Sequence, residues 1–594
     1  MRVCAHGERL ARSATTRTAR DGKCLTARVL GTASGEAGIS GAGLALSNSD
    51  MATAALTPTP PTTWPLVSIE RFAISRAKAR VIALAAVTCL AFGYRVVALS
   101  TYGLSEDEVN KVRAIEQYRH GDFGANAEHP MLMKLAMWGS VELADAWNHI
   151  APPGQTLEIE SAIRLPNVVA GTLTTLALFG LAELLFGTGV ALVASLLWAL
   201  DVNAIAINRI GKEDTFLLFF FLLAMWCYER AKRQGATDPA GAQRWYTGGG
   251  ASFGLMLASK YMPHYLGIYA LFNAITDRNP GANRPNKIRY YGAMLAAFVA
   301  ANLAVLMPQT WQYCVQYVQG ADLVHHGYLY AGQLYVTNIP ISPLGVPATF
   351  YFRLLATKVP LVVLSASVAG LIEAVRRQRE RGFVLLRVWL AFLLIPYSLM
   401  AAKFMRYALP MLAAIDLVAA VGFVAGIGWL LRKGWLSPVT RVTVSVLAVV
   451  VSIVALSVGQ ESAPPFYSLF RNAVGERLAA AGETFPEETY DYGVREAVAA
   501  IAQTAEPSAF VVSDAPGVVA HYLKTSGRSD LQARSLSGQG IPSGSKPSWV
   551  IVQDEHATFE NQDVVEQLRR QSLPWREFRA GDALAAQVFH ISGR

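Results

Sequence analysis

Charge is sparse in this chain of 594 residues: 16% of it is Asp, Glu, Lys or Arg, against 53% hydrophobic residues. That balance excludes an ordinary soluble enzyme of this size and points to a polytopic membrane protein. Cysteine is scarcer still. Cys4, Cys24, Cys89, Cys227 and Cys314 show no paired or metal-ligand spacing, which excludes a disulfide framework and a zinc site. No continuous apolar run follows the early arginines, so the N-terminus is not a secretory signal peptide. Gly-rich phosphate loops and a nucleophile elbow are also missing from the C-terminal segment. Net charge is +9, but the basic residues are segregated, which argues for a membrane topology bias and against a nucleic-acid surface.

Long apolar runs are abundant. Residues 1–70 read as a disordered tail ending in the Pro-rich linker TPTPPTTWP, with translation starting at Met1 or at Met51. Spans are expected near 81–100, 162–185, 188–207, 214–229, 246–259, 262–276, 290–307, 353–374, 385–402, 407–430 and 440–459. With eleven spans, the loops bearing Arg230/Lys232/Arg233/Arg244, Arg278/Arg284/Lys287/Arg289, Arg376/Arg377/Arg379/Arg381 and Arg432/Lys433 all fall on one side. The long loops 101–161 and 308–352 fall on the other, and the second carries no Lys or Arg. The positive-inside rule makes the first side cytoplasmic. A membrane domain over 71–460 is therefore expected, in a plasma (inner) membrane with its N-terminus cytoplasmic. A C-terminal α/β domain over 461–594 would lie outside, with strands at 509–514 and 548–554 and helices at 491–504 and 562–572.

The first long loop carries Glu106, Asp107 and Glu108 directly after the first span, at the start of one helical pattern (Glu106–Tyr118), with a second at Pro130–Asn148. Acids favour a helix N-terminus, and ionisable groups near a bilayer are functional suspects. In this topology other polar residues gather on the same side. They are Arg209 and Asp214 in NRIGKEDTFLLFF, Lys260 in ASKYMPHY, His325 and His326, and Lys403, Arg406 and Tyr407 in KFMRY. A carboxylate facing cations suits transfer from a lipid phosphate to a hydroxyl, because the leaving phosphate needs charge stabilisation. GFVAGIG, with Gly422, Gly426 and Gly428, reads as a helix-packing face.

DE after the first span, HPML (His129 to Leu132), R-x4-D, SKY and KFMRY, in that order, resemble the GT-C membrane glycosyltransferases. The branch they most resemble is the protein O-mannosyltransferases of family 39, with their aminoarabinose- and galacturonosyl-transferring relatives. The resemblance spans about 80–430. It implies a GT-C fold and a polyprenyl-phosphate sugar donor, mannose first. The acceptor hydroxyl would belong to a protein Ser/Thr or an envelope glycan or lipid, and the displacement would be inverting, on the outer face. Asp107 corresponds to the general base, and Glu108 would orient the acceptor or the loop. Arg209 would bind the donor phosphate, with Lys260 and Arg406 as further ligands. Asp214, His129, His325, His326, Lys403 and Tyr407 would support them. No metal or other cofactor is implied, and membrane lipids are expected partners. His129 stands where the family often has HPPL or KPPL, and neither long loop contains a lectin-like insertion. A transporter or lipid-linked sugar flippase is the alternative, but midplane polar residues, broken helices and internal repeats are not evident in the sequence.

Overall fold

The computed structural model describes residues 75–277, 284–319, 327–336, 345–432, 437–461, 464–482, 485, 488, 490–554 and 556–593. The expected N-terminal tail and linker, and His325 and His326, lie outside the described residues.

The chain begins with α1 (Arg76–Val96), α2 (Glu106–Arg119), α3 (Leu132–Ile150), α4 (Ile159–Phe186), α5 (Thr188–Leu200), α6 (Val202–Asn208) and α7 (Glu213–Gln234). It continues with α8 (Pro239–Ser259), α9 (His264–Thr276), α10 (Lys287–Ala301), α11 (Pro308–Val318) and the short hairpin β1 (Tyr328–Tyr330) and β2 (Gln333–Tyr335). The next group is α12 (Phe350–Lys358), α13 (Leu361–Arg376), α14 (Arg381–Leu399), α15 (Leu409–Arg432), α16 (Pro438–Glu461) and α17 (Ala473–Ala479). The C-terminal segment holds α18 (Val494–Thr504), β3 (Phe510–Ser513), α19 (Pro516–Thr525), β4 (Gln532–Ser535), α20 (Leu536–Gln539), β5 (Ser548–Gln553), α21 (Gln562–Gln571), β6 (Arg576–Ala580) and β7 (Ala583–Ile591).

A helix or helix pair occupies each of the eleven expected spans. Among the described residues, four helices are long and apolar enough to cross a membrane: Ala77–Val96, Ile159–Phe186, Arg381–Leu399 and Met405–Arg432. Counting each bent pair as one span raises this to six. The bends depart from the expectation of unbroken helices, and each has a local cause. α5 and α6 meet at 61°, where the Asp201 carboxylate accepts the N–H groups of Asn203 and Ala204 and so starts a new helix. α12 and α13 meet at 119°, where Pro360 caps α13 and pushes Val359 into an extended conformation. Gly187, between α4 and α5, takes φ +90°, a conformation that a residue without Cβ adopts freely.

The helices close around an apolar core that includes Trp198, Phe221, Tyr265 and Trp389. In GFVAGIG, Gly422 makes a close approach: a Cβ there would lie 1.9 Å from the Ala366 carbonyl of α13, whereas one at Gly426 would meet nothing.

The C-terminal strands form one sheet in the order β4-β3-β5-β7-β6. β3 is parallel to β4 and β5, while β7 is antiparallel to β5 and β6. β5 is buried along its whole length, which is why SWVIVQ shows no polar alternation. Leu104, Val109 and Ile115, Met133, Met137 and Val141, and Ile163 share one apolar cluster with Val498, Val511, Val519 and Trp549. The first long loop and the sheet therefore bury a common face. Tyr522 of α19 accepts the Leu104 N–H and Asp491 accepts the Glu106 N–H, so the C-terminal segment also grips the start of α2.

Candidate functional site

Ser105 caps α2, and the Ser105 N–H in turn donates to the Glu108 carboxylate at 2.9 Å. This capping box sets the three acids on different faces of the first turn. Glu106 is exposed, Asp107 is partly exposed and Glu108 is buried. Glu108 receives both arms of the Arg164 guanidinium at 2.8 Å and the Gly211 N–H at 2.9 Å. Burial alone would raise its pKa, but the charge and bonds of Arg164, with the Ser105 and Gly211 amides, hold it below the usual carboxylate range. Arg164 spends its other donors on the carbonyls of Leu99, Tyr102 and Gly103. Glu108 is thus a clamp between α2, α4 and the end of α1, with no open face for a substrate.

Asp107 differs. Its side chain is 38% exposed, against 1% for Glu108. One oxygen is ion-paired with Lys212, and the other lies 3.9 Å from Lys111, one turn along α2. Lys111 is buried and pairs at 2.9 Å with Glu213, the first residue of α7. His129 Nδ1 lies 3.9 Å from the same carboxylate. Burial, opposed by Glu213 and reinforced by Lys111, pushes the His129 pKa down to about 4, so the imidazole is neutral at neutral pH. Lys134 is buried beside it and donates to the carbonyls of Asn126 (2.5 Å) and His129 (2.9 Å). This fixes the HPML loop against the cluster.

A second pair adjoins the first through consecutive residues of α7. Lys260 donates to Asp214 at 2.7 Å, and its ammonium stands 4.4 Å from the centre of the Tyr407 ring. Arg406 is partly exposed and lies over Phe404 and Tyr407, at 4.1 and 5.6 Å. Tyr397 stacks on Tyr407 and meets the hydroxyl of Tyr265 and the ring of His264 at 3.2 Å. The structure thus brings together Asp107, His129, Asp214, Lys260, Arg406 and Tyr407.

Two expected cations stand elsewhere. Arg209 is buried at the end of α1, where it donates to the carbonyls of Tyr94, Arg95, Val97 (2.5 Å) and Ala98 (2.9 Å). Its guanidinium also lies over Tyr467. It satisfies carbonyls that the end of a helix leaves without partners, so in this structure its terminal nitrogens face backbone and not the Asp107 cluster. Lys403 is fully buried and donates to the carbonyls of Val346 and Met400, and burial lowers its pKa to about 8. It too ties backbone together. Sequence reasoning passed over Lys111, Lys212, Glu213 and Arg164. The Asp107/Lys111 spacing of one helical turn and the adjacent acid and base in GKED were the available signals. Among the described residues, no group of three His, Cys, Asp or Glu side chains could hold a metal ion.

Residues 156–305 match the family model described as dolichyl-phosphate-mannose-protein mannosyltransferase. The chain is 29% identical over 119 residues to "Putative mannosyltransferase YycA" of Bacillus subtilis (strain 168), covering 20% of this chain and 16% of that protein. It is 30% identical over 110 residues to "Putative mannosyltransferase YkcB" of the same organism, covering 18% and 15% respectively. The chain thus spans about a sixth of the length of these curated relatives. ArnT from Cupriavidus metallidurans, solved bound to undecaprenyl phosphate, aligns over 86% of this chain and 98% of its own with a TM-score of 0.48 and 14% identity. The family match contains α7, Lys212, Glu213, Asp214 and Lys260, and over those residues it agrees with the resemblance to membrane glycosyltransferases read from the motifs.

Proposed function

We propose that this protein is a multi-pass membrane glycosyltransferase that moves a sugar from a polyprenyl-phosphate donor to a hydroxyl group. The single observation that carries the reading is the partly exposed Asp107 carboxylate at the head of α2, beside the cations Lys212 and Lys111, with Lys260 held on Asp214 of the adjoining α7. The description of the matched family names a lipid-phosphate mannose, and mannose is the first sugar to test. Protein Ser/Thr and envelope glycans or lipids are the acceptor classes.

Asp107 takes the proton of the acceptor hydroxyl as its oxygen attacks the anomeric carbon. The bond from that carbon to the phosphate oxygen breaks, its electron pair leaves with the polyprenyl phosphate, and the configuration inverts. Lys212, Lys260 and Arg406 supply positive charge for the leaving phosphate. Their pairs with Asp107, Asp214 and the aromatic rings hold them in place before the lipid arrives. The neutral His129 offers hydrogen bonds without adding charge. No metal or other cofactor enters the reaction. The eleven-span topology, with the cluster and the C-terminal sheet outside the plasma membrane, belongs to the same proposal.

The test uses purified full-length protein in detergent with a panel of radiolabelled polyprenyl-phosphate sugars, following release of sugar to water or to added membrane acceptors. Turnover of one donor, lost in Asp107→Asn, is expected. Turnover retained in that variant would remove Asp107 from the mechanism. A second reading, transport of a lipid-linked sugar, is favoured by the two bent helix pairs and by Arg95, Asp201 and Asp416 buried in the bundle. Transbilayer movement of a donor in vesicles, with no transfer to any acceptor, would select it.

A further inference from the structure

In open sheets built from parallel strands, ligands bind outside the carboxyl ends of two strands whose connections leave in opposite directions. The C-terminal sheet has such a point. After β3 the chain crosses through α19 to β4 at one edge, and after β5 it leaves through α21 to β6 at the opposite edge, so the connections of the parallel neighbours β3 and β5 diverge. A cavity of about 260 Å³ lies there, lined by Asp514 after β3, Gln553 and Asp554 at the end of β5, and His556, Asn561 and Arg569. Leu329 and Gly332 of the β1–β2 hairpin form the facing wall.

The walls are built rather than incidental. Asp514 accepts the amide (2.8 Å) and hydroxyl (2.6 Å) of Ser537 and a bond from Asn561. The Arg569–Asp554 pair is loose, at 3.8 Å. Carboxylates and amides around a small cavity suit hydroxyl groups, which both donate and accept. Two carboxylates against one arginine disfavour a phosphate. The volume falls below the roughly 300–1,000 Å³ of pockets for drug-sized ligands, which limits the occupant to a unit the size of one sugar.

The cavity is also wired to α2. Gln553 donates to Asp491 at 2.6 Å, and the other Asp491 oxygen accepts the Glu106 N–H at 2.7 Å. Glu106 adjoins Asp107 in the same helical turn. We infer that this cavity is a carbohydrate subsite, binding one hydroxyl-rich unit of a glycan acceptor beside the head of α2. Its assignment to the acceptor rests on the transferase reading above; its affinity for a saccharide does not.

Saturation-transfer NMR on the full-length protein in detergent, with a panel of methyl glycosides as probes, tests the binding directly. At least one glycoside should receive saturation from the wild type. In Ala557→Trp, which fills the cavity from a lining position, that signal should fall about tenfold or more. Asp554→Asn, at a partly exposed position, should weaken it without disturbing the fold. No saturation of any glycoside in the wild type would overturn the inference. So would equal saturation in an Ala557→Trp protein that elutes and melts like wild type. Glycoside binding lost in Ala557→Trp, together with no donor turnover by the wild type, would keep the subsite and remove the transferase reading.

Discussion

Asp107 and Glu108 are adjacent in sequence and opposite in circumstance. Glu108 is sealed against Arg164 and the Ser105 and Gly211 amides, whereas Asp107 meets solvent on one side and lysines on the other. Arg209 and Lys260 repeat the contrast among the cations. The first is consumed by four backbone carbonyls; the second pairs with one carboxylate under an aromatic ring. A charge whose partners are all backbone groups or a fully buried counter-charge stabilises the fold. A charge paired side chain to side chain at a partly open edge can exchange its partner for a substrate.

The largest effect should come from the open acid. Asp107→Asn should lower kcat by about 100- to 10,000-fold, the usual contribution of a general base, with thermal unfolding unchanged. Radiolabel transfer and a melting curve on the same preparation check both halves. The sealed pair should behave in reverse. Arg164→Met strands the Glu108 carboxylate and should cost about 3–5 kcal/mol of stability, read from denaturation in detergent. Wild type should also lose stability on acidification, because a carboxylate held below its unfolded pKa stabilises only while it is ionised. The contribution is present above the ordinary carboxylate pKa and disappears as pH falls through the depressed one. Glu108→Gln should flatten that acid limb; an unchanged limb would mean that another carboxylate sets it.

Between the two cations the comparison is one of KM against stability. Lys260→Met should raise the donor KM by about tenfold while shifting the melting temperature little. Arg209→Met should lower stability by about 1–3 kcal/mol, from carbonyls left unsatisfied, with donor KM near wild type in the folded fraction. A raised KM in Arg209→Met alone would return that arginine to the phosphate site. The last comparison concerns His129. With its folded pKa at about 4, below the ordinary 6.5, the unfolded chain binds the extra proton first. Native stability should therefore fall as pH drops from about 6.5 towards 4. His129→Gln should remove only that part of the pH dependence.

Much of this was legible in the residues. Low charge and long apolar runs define a chain that must bury its backbone in helices. The strands 509–514 and 548–554 were visible because a strand buried on both faces is a continuous apolar run. The acids at 106–108 and the lysine of SKY were visible because ionisable groups stand out beside apolar spans. Less legible was what each charge touches. Arg209 and Lys260 look equivalent in sequence, because each flanks a span. The bends at Asp201 and Pro360 were also missed, since a cap or a proline at a segment end does not reveal the angle that follows.

By itself the sequence determined the class of the molecule, the position of its helices and sheet, and a short list of polar residues that need a reason to be where they are. The tertiary structure alone decided which of them are free to act. It placed α4 behind α2 so that Arg164 claims Glu108, and it turned the end of α1 onto Arg209. It also set the start of α7 beside Asp107, so that Lys212, Glu213 and Asp214 join one cluster. Hydrophobic periodicity is written along the chain. The partners of the buried Glu108 come from segments 56 and 103 residues away, so they exist only once the helices have packed.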